Sequence, residues 1–85
     1  MSIVLYTKPD CPYCRKAIDH YIANGIDFTE YDAQNDQARL EEMLKFANGD
    51  PTVPCIIEDG KYAASGWGDP PRGCTIYIPS AMQGE

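Results

Sequence analysis

A short β-branched and aromatic run, Ile3-Val4-Leu5-Tyr6-Thr7, leads into Cys11-Pro12-Tyr13-Cys14, and a stretch with helical periodicity follows at once. That order pins two cysteines, three positions apart, to the end of a strand and the start of a helix. Over residues 12–24 the apolar positions Cys14, Ala17, Ile18, Tyr21 and Ile22 fall at i, i+3, i+4, i+7 and i+8. Pro12 suits the first helical turn, and Asn24-Gly25 supplies the stop. A thiol at a helix start becomes a thiolate most easily, so the C-x-x-C pair reads first as redox chemistry.

The rest of the chain reads as follows. Residues 3–7 form a buried strand. Residues 26–32 alternate apolar and polar, as a second strand does. Residues 36–47 make a second helix, with Leu40, Met43, Leu44 and Ala47 inside and Arg39, Glu41, Glu42 and Lys45 outside. A third strand runs from Thr52 to Glu58, and Asp59-Gly60 turns the chain into a return strand from Lys61 to Ala64. The order is β-α-β-α-β-β, an α/β fold with a four-stranded mixed sheet. Its first two strands are parallel and its last two form an antiparallel hairpin. From residue 66 on, glycine and proline dominate, no further helix fits, and only Thr75 to Ile78 suggests a short extra strand.

At 85 residues this is a single domain, 1–85, with 66–85 as an irregular tail. Its 44% hydrophobic and 24% charged content is that of a folded domain. The net charge is −6, and the seven basic residues form no stripe that would track phosphates, so nucleic acid is excluded as a partner. Lys8, Arg15 and Lys16 cluster near the C-x-x-C, which predicts a locally positive site on an acidic body. No apolar run is long enough to span a membrane, and the start lacks the pattern of a secretory signal. Four cysteines with this spacing then point to the reducing cytoplasm.

A free cysteine titrates near pKa 8.5, so only about 3% is thiolate at pH 7. Lowering that value to about 5 takes roughly 5 kcal/mol of preference for the anion. A helix dipole supplies at most about 2 kcal/mol. Backbone N–H groups at the helix start and a nearby cation must supply the rest, and Lys8 is the obvious cation. Cys11, outside the helix, is then the exposed nucleophile, and Cys14, one turn in, the more buried resolving thiol. The competing reading of a C-x-x-C is half a zinc site. That needs a second pair, whereas Cys55 and Cys74 lie 19 apart and His20 is the only histidine. Thr52-Val53-Pro54 is a second signal. A cis peptide bond at Pro54 would turn the preceding backbone toward the nucleophile, where the N–H and C=O of Val53 can pair with an extended peptide-like substrate.

Tyr6-Thr7-Lys8-x-x-Cys11-Pro12-Tyr13-Cys14, then Thr52-Val53-Pro54, then Asp59-Gly60-Lys61-Tyr62, resembles a bacterial dithiol glutaredoxin over about residues 2–66. The resemblance implies a thioredoxin-like fold and glutathione-dependent thiol–disulfide exchange, with glutathione as co-substrate and no tightly bound cofactor. It implies that Cys11 attacks and Cys14 resolves, that Pro54 is cis, and that Lys8 meets a glutathione carboxylate. It implies that Tyr13 flanks the tripeptide and Val53 pairs with its backbone. Partners are then glutathione and disulfide-containing or glutathionylated proteins, met by a monomer.

The chain departs from that family in two places. Where glutaredoxins carry Gly-Gly-x-Asp after the hairpin, it has Ala64-Ser65-Gly66-Trp67-Gly68-Asp69, in which a one-residue shift gives Gly66 and Asp69 those parts. The family's closing helix is blocked by Pro70-Pro71, so Trp67 and Ile76 to Ile78 are expected to cover that sheet face instead. Two other readings stand beside the first: a redoxin recycled by thioredoxin reductase, and an iron–sulfur protein with Cys11 as a ligand in a glutathione-bridged dimer. Cys55 reads as a small buried strand residue. Cys74 reads as an unpaired thiol, with a regulatory or intermolecular disulfide as the sharper alternative. His20 and the pair Glu41-Glu42 read as solvated.

Overall fold

Why each segment takes its place follows from which faces can be buried. A computed structural model describes residues 2–77. β1 (Ile3–Thr7) lies inside a four-stranded sheet of order β2-β1-β4-β5. It pairs in parallel with β2 (Thr29–Asp32) and antiparallel with β4 (Cys55–Glu58), and β4 pairs antiparallel with β5 (Lys61–Ser65). Being central, β1 is buried on both faces, which explains its unbroken apolar run. Asp59 and Gly60 both have positive φ, 52° and 79°, as the expected tight hairpin turn requires.

Two helices cover the two sheet faces. α1 (Pro12–Ala23) packs Ile18 and Tyr21 on Ile3, Leu5 and Ile56. α2 (Gln37–Phe46) packs Leu40 and Met43 with Tyr6 and Ile57 on the other face. Asp36 caps α2, its side chain accepting the Arg39 N–H.

The structure departs from the expected elements in four places. β2 starts at Thr29, because the Ile26 N–H donates to the Tyr21 carbonyl at 2.9 Å and holds that segment to α1. The expected third strand splits at Pro54 into β3 (Thr52–Val53) and β4. The tail strand is β6 (Cys74–Thr75), antiparallel to β3, and Ile78 of the expected strand lies outside the described residues. Glu42 is no merely solvated acid: it accepts from the Tyr6 hydroxyl and from Arg39, each at 3.0 Å. The Arg39 guanidinium also sits 3.8 Å from the centre of the Tyr31 ring.

In place of a closing helix, Trp67 packs on the α1-side core, 5.1 Å from His20 and 5.9 Å from Tyr21 between ring centres. Ile76 is 1% exposed but lies in the α2-side core, so the expected cover of one face by Trp67 and Ile76 together is corrected to Trp67 on the α1 face and Ile76 on the other, with Ile78 outside the described residues. His20 is exposed, as expected, but lies against Trp67. No helix among the described residues is long and apolar enough to cross a membrane.

Candidate active site

The end of β1 and the start of α1 meet at Cys11. Cys11 is the N-cap of α1, in extended backbone, and its sulfur accepts the Cys14 N–H at 3.4 Å. Asp10, just before it, has φ 60°, and Pro12 opens the helix. A sulfur in that place faces donors the helix leaves unpaired, so an anion there is satisfied without a counter-ion.

Burial alone would push the Cys11 thiol up. Donors outweigh it: the thiols of Cys74 and Cys14 and the backbone N–H groups of Cys14 and Tyr13 bring it below the ordinary thiol value. Cys14 moves the other way. Burial, helped by its hydrogen bond to Cys11, raises it to about 12, against a smaller lowering from the Lys8 backbone. The two thiols are thus pushed apart, as a nucleophile and a resolving partner need. Lys8 lines the site beside Cys11, but the donors that lower Cys11 do not include its charge, against the expected role. Cys74 is raised, by its hydrogen bond to Cys11 and by burial, against a smaller lowering from Lys8.

Cys11 is only 5% exposed, against the exposed nucleophile expected of a residue outside the helix. The tail accounts for this: β6 lies along β3, and Cys74 packs on the core cluster that holds Cys11. Cys55, fully buried in β4, belongs to the same core cluster, and burial raises it to about 11, as befits a core residue.

A groove of about 530 Å³ opens beside Cys11. Lys8 and Arg15 line it, but so do Asp10, Glu30 and Asp32. The expected positive site is therefore corrected to one of mixed charge. Sequence reasoning missed Glu30 and Asp32. Parallel pairing of Thr7 with Asp32 brings them to the nucleophile's end of the sheet, and the Thr7 hydroxyl donates to Glu30 at 2.8 Å.

The other expected substrate residues lie elsewhere. Tyr13 is half-buried on the core, with the Lys16 Nζ 5.5 Å from its ring centre. The Val53–Pro54 bond is cis. Val53 is fully buried, and its register partner is Cys74 of the same chain. Asp69 is exposed in a turn closed by two backbone hydrogen bonds between Trp67 and Arg72, 2.7 and 3.0 Å, and it does not line the groove. Among the described residues, no cluster of three or more metal-ligating side chains is assembled.

A family model described as Glutaredoxin matches residues 3–63. Glutaredoxin 3 of Escherichia coli K12 is 36% identical over 61 residues, which cover 72% of each chain. A glutaredoxin-like protein encoded in a rubredoxin operon of Clostridium pasteurianum is 33% identical over 58 residues, 68% of this chain and 76% of that one. The crystal structure of a thioredoxin-like protein superposes with a TM-score of 0.66 at 28% identity, covering 74% of this chain and 85% of the other.

Proposed function

The chain belongs to the glutaredoxin family, with a thioredoxin-like fold and thiol–disulfide oxidoreductase activity, and from this we propose that glutathione supplies its electrons. The observation that carries the reading is the Cys11 sulfur seated as the cap of α1 with Cys14 one turn inside. The Cys11 thiolate attacks one sulfur of a disulfide, the S–S bond breaks, and the other sulfur leaves as a thiolate. Cys14, or a glutathione thiolate, then attacks the Cys11 sulfur of the mixed disulfide and releases the second substrate thiol. Two electrons pass to the substrate. Two glutathiones later reduce the Cys11–Cys14 disulfide and leave as glutathione disulfide.

In this reading Lys8 meets a glutathione carboxylate, Tyr13 flanks the tripeptide, and Val53 and Pro54 present backbone to its cysteine. Asp69 would bind the γ-glutamyl end. Substrates are protein disulfides or glutathionylated proteins, and the protein works as a monomer in the reducing cytoplasm.

One observation favours a second reading. Asp69 lies in the Trp67–Arg72 turn and not along the groove, so the γ-glutamyl contact is the weakest part of the site. A redoxin recycled by thioredoxin reductase would not need it. The test supplies reduced glutathione with glutathione reductase, or thioredoxin reductase, each with NADPH, to the same protein and a small mixed disulfide. Turnover with glutathione that disappears in Cys11→Ser is the expected result. Turnover with thioredoxin reductase alone would overturn glutathione as the reductant, and full activity of Cys11→Ser would overturn the nucleophile.

A further inference from the structure

Beside the nucleophile, β3 is a two-residue strand of the kind whose edge an extended peptide substrate would pair with. In this chain the edge is already taken. Val53 pairs with Cys74, Thr52 pairs with Thr75, and the Ile76 N–H donates to the Pro51 carbonyl at 3.0 Å. The approach is unusually close. A Cβ on Gly73 would lie 2.1 Å from the Val53 oxygen and 2.8 Å from the Thr52 Cγ2, so only glycine fits there. Upstream, the Gly66 N–H donates to the Pro54 carbonyl at 2.8 Å, and the Trp67–Arg72 pairing reverses the chain toward β3. Downstream, the buried Ile76 anchors the strand in the core that also holds Cys11, Cys14 and Val53. A glycine that fits only by lacking a side chain, a turn and a buried anchor hold Cys74 beside Val53 and against the core cluster that contains Cys11.

We propose that residues 73–76 are an internal occupant of the substrate strand site, and that Cys74 is a second resolving thiol that closes the site as a Cys11–Cys74 disulfide. The proposal rests on Cys11 as the nucleophile and does not need glutathione as the reductant. Its chemistry uses only the exchange already described. A disulfide RS–SR gives Cys11–S–S–R and one RS⁻. The Cys74 thiolate attacks the Cys11 sulfur, the S–S bond to R breaks, and the second RS⁻ leaves. The protons of the two cysteines end on the two RS⁻ groups, and two electrons have reduced the disulfide. Geometry favours Cys74 for this step because it is half-exposed at the rim, while Cys14 is buried in the core. Any substrate that pairs with Val53, a peptide or glutathione, must lift β6 off β3, so the tail competes with it.

The test treats the full-length Cys14→Ser variant with hydroxyethyl disulfide, blocks free thiols, and maps tryptic peptides of the monomer by mass. Cleavage after Arg15 and Arg72 puts Cys11 and Cys74 on separate peptides. A peptide pair joined through Cys11 and Cys74 is expected. Cys11 carrying the hydroxyethylthio group with Cys74 free would overturn the proposal and leave Cys11 as nucleophile. Cys11 wholly unreacted would overturn both. Separately, Gly73→Val should expel β6 and raise both the alkylation rate of Cys11 and kcat/KM for a peptide disulfide severalfold. Unchanged values would show that the tail does not cover the site.

Discussion

Four thiols in one small domain are set apart by what surrounds each sulfur. Cys11 gains donors from the start of α1 and from two neighbouring thiols, so its anion is favoured. Cys14 and Cys55 are enclosed, so their anions are not. For Cys55 this has a stability consequence. Burial raises its folded pKa to about 11, against about 8.5 for a free thiol. Between those values the unfolded chain has released the proton and the folded chain has not. The folded state then binds more protons, and stability falls as pH rises through that window. The loss amounts to about 3 kcal/mol by pH 11. In denaturant titrations of the reduced protein, Cys55→Ala should remove much of that decline; an identical decline in the variant would place its cause at other groups. The enclosure of Cys14 and Cys55 and the helix-start position of Cys11 were readable from position, but the burial of Cys11 was not, since the tail that covers it lies far along the chain. The fate of Cys74 was not, because its neighbour is 63 positions away.

At the level of elements, the two helices and the hairpin were readable because each carries a period or a turn with a physical cause. The tail carries neither. β6 has two residues, too few for alternation, and it exists because Gly73 lets the backbone touch β3. Acidic residues at the site escaped for a related reason: only the parallel register of β1 and β2 puts Glu30 and Asp32 near Cys11. Trp67 does part of what a closing helix would do, resting on Ile3, Leu5, Ile18 and Tyr21. A fully buried tryptophan cut to alanine costs about 3–5 kcal/mol. Trp67 is half-buried, so Trp67→Ala should cost about 2 kcal/mol and lower Tm by about 10 °C. A thermal melt within a degree or two of the parent would mean that the tail turn does not hold the α1 face.

For the whole molecule, the sheet's job is to set the end of β1 under the start of α1 and to bring β3 beside it. The C-x-x-C announced that arrangement, while the closed state of the site came from pairing between β3 and a tail with no periodic signal. The central claim is that this frame makes Cys11 the acidic thiol of the molecule. The direct measurement is the ultraviolet thiolate absorbance of the fully reduced protein across pH, with Cys11→Ser subtracted. The account predicts one thiolate appearing below the ordinary thiol value and lost in that variant, while Cys14 and Cys55 ionise only well above it. A difference curve with its midpoint at or above the ordinary thiol value would contradict it.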